Sequence, residues 1–195
     1  NFKNIFSYQH IIINSEYTEH HIKLRYKEIF NNSFEHKLKI IYPPSINKVL
    51  RLEYSLKETG EIIDNKNQNM FVMIGRIFDH DEKANNKYFD VAIKIFNKII
   101  EKNNEIELII IGSVKNIKYY EYLCKLKKYD NIKILTDLEE EKKIDILKEA
   151  KYYIQLTGLN DKYYSNQEHF GITLIEALNY SCIPICYCGG YSKYL

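Results

Sequence analysis

Short apolar runs alternate with amphipathic segments along most of the chain, and this alternation restricts the possible folds more than any other feature. From Met70 onward, runs rich in Ile, Val and Leu predict strands, and apolar residues recurring every three or four positions predict helices. Continuous apolar strands separated by helices are typical of a parallel sheet covered on both faces. The fold class predicted for residues 70–195 is therefore α/β, a doubly wound parallel sheet. The predicted strands are 70–74, 106–112, 131–135, 151–156 and 182–188, and the predicted helices are 87–102, 116–129, 138–150 and 170–180.

The first part of the chain carries fewer elements. Runs at 10–14 and 37–44 predict strands, and the segment between them predicts a helix over 15–30 with Ser15 as its N-cap. This is too little to fold alone, so we expect residues 1–46 to be the end of a preceding domain with its own sheet. Residues 47–69 are polar and predict a linker. The chain starts without Met and ends abruptly with "GGYSKYL", which favours a fragment whose 70–195 domain is truncated at its C-terminal end.

Composition excludes some functions. The net charge is +2 and basic residues are interspersed with acidic ones, so no basic stripe indicates a nucleic-acid surface. No apolar stretch approaches the roughly 18 residues that span a bilayer, and no signal-peptide pattern opens the chain. The four Cys lack the paired spacing of a zinc site, and "CIPICYC" favours a buried strand in a reducing compartment. These features predict a cytoplasmic protein without a metal site.

Three predicted strands end at or just before a glycine, namely Gly75, Gly112 and Gly158. In an open α/β sheet, ligands bind outside the carboxyl ends of the strands. Gly75 and Arg76 follow the first strand of the domain, with Lys83 and Lys87 downstream, and an Arg with a Lys could clamp a phosphate there. The alternative is a tight turn with solvated charges. Gly158 follows strand 151–156 and precedes a polar loop, where substrate contacts are also expected.

The stretch "EHFGITLIEAL" predicts a helix that opens at Gly171. The first N–H groups of a helix form a ready anion site, and glycine permits close approach. Gly171, Leu174, Ile175 and Leu178 are predicted to face the sheet. Glu176 lies on another side, where its carboxylate could accept hydrogen bonds from ribose hydroxyls; the alternative is an ordinary solvated charge. Glu168, in the preceding loop, would lie near whatever extends from a bound phosphate.

These residues resemble a known family. The E-x7-E pair inside "EHFGITLIEAL", with "GR" and a Lys upstream and "GG" downstream, resembles glycosyltransferase family 4, the group 1 glycosyltransferases of GT-B fold. The likeness covers nearly the whole chain. "HIIINSEYTEHHI" is similar to the end of the family's N-terminal, acceptor-side domain. "FVMIGRIFDHDEKANNK" is similar to the strand and phosphate loop of its C-terminal, Rossmann-like nucleotide-sugar-binding domain.

The resemblance implies retaining transfer of a sugar from a UDP- or GDP-type donor to a glycan, lipid-linked or small-molecule acceptor, with no metal and no further cofactor. It implies that Arg76 and Lys87 bind the diphosphate, with Lys83 the less favoured choice. It also implies that Glu176 binds the ribose and Glu168 the donor sugar. Glu168, Arg76 and Lys87 would be the catalytic residues. The implied donor-binding set is Gly75, Arg76, Lys87, Gly158, His169, Phe170, Gly171, Ile172, Thr173 and Glu176.

The sequence departs from the family pattern at three positions. Gln155 replaces a usual His, Ser181 a usual Gly, and Lys193 a frequent Glu after "GG". These departures bear on the choice of donor more than on the fold. Two alternatives to an active transferase also stay open at this point: a non-catalytic nucleotide-sugar-binding module, and a GT-B sugar-nucleotide epimerase. Membrane contact would be peripheral, through parts of the parent protein outside this chain.

Overall fold

The computed structural model describes residues 10–31, 37–43, 65–78, 87–159 and 166–194. Lys83, most of the predicted linker and most of the polar loop after Gly158 lie outside these ranges. The strands are β1 (His10–Ile13), β2 (Lys37–Ile40), β3 (Asn67–Ile74), β4 (Glu107–Gly112), β5 (Ile132–Thr136), β6 (Ala150–Gln155) and β7 (Ile183–Cys186). The helices are α1 (Glu16–Phe30), α2 (Phe89–Ile100), α3 (Ile117–Leu126), α4 (Glu140–Glu149) and α5 (Ile172–Asn179), followed by a 3₁₀ helix at Gly190–Tyr194.

The described strands form two parallel sheets. β1 pairs with β2, and a larger sheet has the order β5-β4-β3-β6-β7. Residues alternate in direction along β3: Met73 packs with α2 and α3 on one face, whereas Val72 packs with α4 and α5 on the other. The prediction of a doubly wound parallel sheet is therefore confirmed.

Two strands differ from their predictions. β3 begins at Asn67, three residues before the predicted start at Met70. The prediction missed these residues because they are polar and largely exposed and so resemble a linker in sequence. β7 is shorter than predicted and is not buried, since it is the last strand of the sheet and Ile183 and Ile185 stay exposed. Cys182 is buried, but Cys186 is only partly covered and Cys188 is exposed.

Helix α5 also packs differently from the prediction. Leu174 faces the sheet as expected, but Ala177 is the next buried residue and Leu178 is exposed. Ile175 instead packs toward Tyr17, Phe170 and Tyr191. The helix therefore has two contact faces rather than one, which a single apolar stripe does not describe. No helix within the described ranges is both long and apolar enough to cross a membrane.

Candidate functional site

The strand order places a switch point beside β3. From β3 the chain adds β4 and β5 on one side, then returns to add β6 and β7 on the other. Ligands of open α/β sheets bind where the order reverses, at the carboxyl ends of the strands. Gly75 directly follows β3, and Gln155 is the last residue of β6. The predicted site residues around them therefore lie at the edge where a ligand is expected.

Lys87 and Glu168 meet at this edge. The Lys87 ammonium lies 3.0 Å from Glu168 Oε2, and both side chains are largely buried. Lys87 also donates to Thr157 Oγ1 at 2.9 Å. Gly75 makes room for the lysine, since a Cβ at that position would lie 2.8 Å from Lys87 Cγ. The loop after β3 and the loop before α5 are thus joined by one ion pair.

Gln155 and Thr157 form a buried layer beneath the ion pair, and both are only 2% exposed. Gln155 Nε2 donates to Glu168 Oε2 at 3.0 Å, and Thr157 Oγ1 donates to Gln155 Oε1 at 3.2 Å. A buried amide survives in an apolar strand only if its polar atoms have partners. The sequence analysis noted Gln155 only as a departure and missed Thr157. Their polar character at the end of an apolar strand was the available signal.

The start of α5 is the second part of the site. Gly171 is its N-cap, with φ of 81°, a left-handed conformation that glycine adopts without strain. Its N–H donates to Glu168 Oε1 at 3.0 Å. Glu168 therefore places a carboxylate against both a cation and a helix N-terminus, the two partners that a phosphate group would use.

Thr173, in the first turn of α5, accepts a hydrogen bond of 2.7 Å from the Tyr153 hydroxyl. Burial raises the pKa of Tyr153 well above its usual range, so the phenol stays protonated and keeps donating. Ile172, one residue before Thr173, is exposed.

Glu176 is not a solvated charge. Its carboxylate lies 3.2 Å from the Lys143 ammonium of α4, and each side chain is about one-seventh exposed, at 14% and 15%. Burial alone would lower the pKa of Lys143, but its hydrogen bond with Glu140 and the Glu176 charge outweigh burial, so the pKa lies above its usual value. Lys143 was not identified from the sequence, since charged residues dominate all of α4.

The remaining predicted residues lie around this cluster. Arg76 is exposed, with its guanidinium over the Phe78 ring at 4.8 Å. Gly158 packs closely against the loop before α5, and an added Cβ there would lie 2.9 Å from Gln167 Cγ. The His169 ring lies edge-on to Tyr17 at 5.6 Å, and Phe170 stacks on Tyr191 at 5.1 Å. The structure thus brings Lys87, Glu168 and Gly171 into contact and pairs Glu176 with another residue.

Comparison with solved structures shows the same fold. The pneumococcal O-GlcNAc transferase GtfA, solved with UDP and GlcNAc, matches all of this chain and 33% of its own, with a TM-score of 0.67 at 16% identity. A UDP-forming α,α-trehalose-phosphate synthase from Burkholderia xenovorans matches all of this chain and 50% of its own, with a TM-score of 0.64 at 10% identity. Both likenesses extend across the small and the large sheet, as in GT-B glycosyltransferases.

Sequence comparison identifies more similar relatives. A GDP-Man:Man(3)GlcNAc(2)-PP-Dol α-1,2-mannosyltransferase from Kluyveromyces lactis is 29% identical over 89% of this chain, and the corresponding Yarrowia lipolytica enzyme is 26% identical over 94%. The chain spans 28% of the length of each. The sequence profile described as "Glycosyl transferases group 1" matches residues 56–194. The chain belongs to the group 1 glycosyltransferase family.

Proposed function

We propose that this chain is the donor-binding part of a glycosyltransferase that moves a sugar from a nucleotide diphosphate sugar to an acceptor with retention of configuration. The observation that carries the proposal is the contact of Glu168 with both Lys87 and the Gly171 N–H at the switch point of the sheet. A diphosphate needs the same two partners, a cation and free backbone N–H groups.

In the proposed reaction, the bond between the sugar and the diphosphate breaks and negative charge builds up on the leaving diphosphate. Lys87 and Arg76 supply positive charge to it, and the N–H groups at the start of α5 supply hydrogen bonds. Groups aimed at the developing charge lower the barrier more than groups that bind the ground state. We propose that the reaction needs no metal, because these cations supply the positive charge themselves.

Glu168 changes partners in this proposal. Its carboxylate holds Lys87 and the Gly171 N–H while no donor is bound, and an arriving diphosphate competes for both. Glu168 then turns to the sugar hydroxyls, still anchored by Gln155. Glu176 accepts hydrogen bonds from the ribose, and Lys143 lies 3.2 Å from that carboxylate and holds it in place.

The curated relatives favour a particular donor and acceptor. Both are named as transferring mannose from GDP-mannose to a PP-Dol-linked glycan. We therefore propose GDP-mannose as donor and a lipid-linked glycan as acceptor, with the enzyme in the cytoplasm at a membrane surface. Residues 1–46 would end the acceptor-side domain, 47–69 would link the domains, and 70–195 would form most of the donor-binding domain.

Calorimetry with a panel of ligands tests the proposal. The chain is titrated with GDP-mannose, GDP, guanosine, UDP-N-acetylglucosamine and UDP. We expect GDP and GDP-mannose to bind and guanosine to bind far more weakly. Absence of binding to every nucleotide diphosphate and its sugar would contradict the proposal, and preference for the uridine ligands would contradict the donor assignment alone. With the full-length parent protein, NMR of the transferred sugar gives the anomeric configuration.

A further inference from the structure

Helix α1 holds the short loop that carries Glu168 from outside. Residues 167–170 precede α5 in the chain and contact the start of the 3₁₀ helix. Their contacts with α1 join residues about 150 positions apart. None of these contacts belongs to the Lys87 and Gln155 cluster on the inner side of the loop. The outer contacts therefore need a separate explanation.

Ser15 makes the first of these contacts. Its hydroxyl accepts from the Thr18 N–H at 3.2 Å, which caps α1, and donates to the His169 carbonyl at 2.5 Å. The side chain is completely buried. One hydroxyl therefore starts the helix and fixes the peptide between His169 and Phe170, one residue beyond Glu168.

Tyr17 makes the second contact. Its hydroxyl donates to Gln167 Oε1 at 3.0 Å, and the same oxygen accepts from the Gly190 N–H at 2.8 Å. The Tyr17 ring is 4% exposed and packs with Phe170 and Tyr191. Residues on both sides of Glu168 are thus tied to α1.

The Glu168 main chain is fixed as well. Its carbonyl accepts from the Tyr191 N–H at 2.7 Å. With its neighbours held by Ser15 and Tyr17, the backbone of Glu168 has little freedom, so its carboxylate has a defined place. A carboxylate that must turn from Lys87 to a sugar needs such an anchored backbone, because a misplacement of about 1 Å at a reacting group costs orders of magnitude in rate.

We propose that Ser15 and Tyr17 are positioning residues of the donor site, which act through Glu168 although they lie in the acceptor-side segment. This inference rests on the proposed function, in which Glu168 contacts the donor sugar. It predicts that the two hydroxyls matter for binding of the sugar and not for binding of the bare nucleotide.

The test uses Ser15→Ala and Tyr17→Phe, with Tyr26→Phe as a matched control on α1. Calorimetry gives the affinities for GDP-mannose and GDP, and thermal unfolding gives the stability. Loss of one hydrogen bond should weaken GDP-mannose roughly three- to tenfold, with the affinity for GDP changed by less than about twofold. Ser15→Thr, which keeps the hydroxyl, should restore GDP-mannose binding. Tyr26→Phe should bind both ligands like the wild type.

A double-mutant cycle separates a positioning role from a structural one. If Ser15 acts through Glu168, then Ser15→Ala should cost nothing further for GDP-mannose in a Glu168→Gln background. Equal loss of GDP and GDP-mannose, additive loss in the double variant, or unchanged binding of GDP-mannose would each overturn the inference. Two other results would instead overturn the proposed function on which the inference rests. One is that the wild-type chain binds neither ligand, and the other is that Glu168→Gln leaves GDP-mannose affinity unchanged.

Discussion

The Lys87 ammonium lies 3.0 Å from the Glu168 carboxylate, and the same carboxylate accepts the Gly171 N–H at 3.0 Å. The carboxylate therefore occupies two partners that the proposed diphosphate requires. Binding of the donor must break this ion pair, so part of the interaction energy of the diphosphate is spent on releasing Glu168.

Lys87→Gln should lower the affinity for GDP by about tenfold or more, since a charge-assisted hydrogen bond contributes roughly 1.5–3 kcal/mol. Guanosine affinity should stay unchanged, because guanosine has no phosphate. The fold should persist, since Gln155 and the Gly171 N–H still satisfy Glu168. Calorimetry with both ligands makes the comparison, with Lys98→Gln on the exposed side of α2 as control. We expect Arg76→Gln to act in the same direction; equal losses for GDP and guanosine would show that neither cation contacts phosphate.

Glu176→Gln should lower the affinity for GDP by roughly tenfold, because a neutral amide no longer gives a charge-assisted bond to the ribose. Lys143 keeps its 2.7 Å ion pair with Glu140 in this variant, so stability should change little. Glu168→Gln should not lower GDP affinity, because its carboxylate competes with the diphosphate for Lys87, but it should lower transfer by the full-length parent protein. The two variants are measured with GDP and with GDP-mannose. Similar losses of GDP affinity in both variants would contradict the assignment of Glu176 to the ribose and Glu168 to the donor sugar.

Gly190→Ala should destabilise the protein by about 1–3 kcal/mol, the usual cost of a left-handed backbone without glycine. The φ of Gly190 is 61°, and an added Cβ would also collide with the Glu168 carbonyl. Thermal unfolding measures the loss, and GDP-mannose affinity should fall with it because the collision displaces Glu168. Gly171→Ala has a comparable φ but closest contacts of 3.4 Å, so it should cost less. The reverse order of the two variants would contradict the packing around Glu168.

Stability should decrease as the pH falls below about 6.5, partly through His21. Burial lowers the pKa of His21, with further lowering by the nearby His20, His169 and Lys193 charges. Below the ordinary value of 6.5 the unfolded chain therefore binds more protons than the folded chain, which favours unfolding. His21→Phe should flatten this slope while keeping a ring against Tyr17. Denaturant unfolding at several pH values measures it, and His20→Gln should leave most of the slope, since burial is the largest cause. An unchanged slope in His21→Phe would show that His21 does not contribute to the pH dependence of stability.

The alternation of apolar runs was sufficient to predict the sheet and the order of its elements along the chain. Each strand from β3 to β6 is followed by an amphipathic helix, so local pattern and global fold agree. Strand ends were less accurate, because exposed polar residues such as Asn67 pair within the sheet without an apolar signal. The exposure of Ile183 depends on its place at the edge of the sheet, which composition does not reveal.

The sequence predicted only those residues of the candidate site that are expected to contact the ligand directly. Lys87, Glu168 and Gly171 were identified from the sequence, and the structure brings them together. Gln155 and Thr157 support them from below, and Lys143 pairs with Glu176, but such partners depend on which strand ends become neighbours. Ser15 was recognised as the N-cap of α1, whereas its second partner, the His169 carbonyl, depends on tertiary contact and has no local signal.

The Ser15–His169 hydrogen bond also determines when the donor site can form during synthesis. The two residues are 154 positions apart, so at translation rates of about 5–20 residues per second the loop follows α1 by roughly 8–30 seconds. Tyr191, which holds the Glu168 carbonyl, emerges later still. Throughout that interval the nascent chain exposes Tyr17 and the end of α1 without their partners. The packing around Glu168 is therefore completed only after Tyr191 has been made, and a ribosome-bound chain stopped before Tyr191 should still present the Tyr17 side chain to a chaperone.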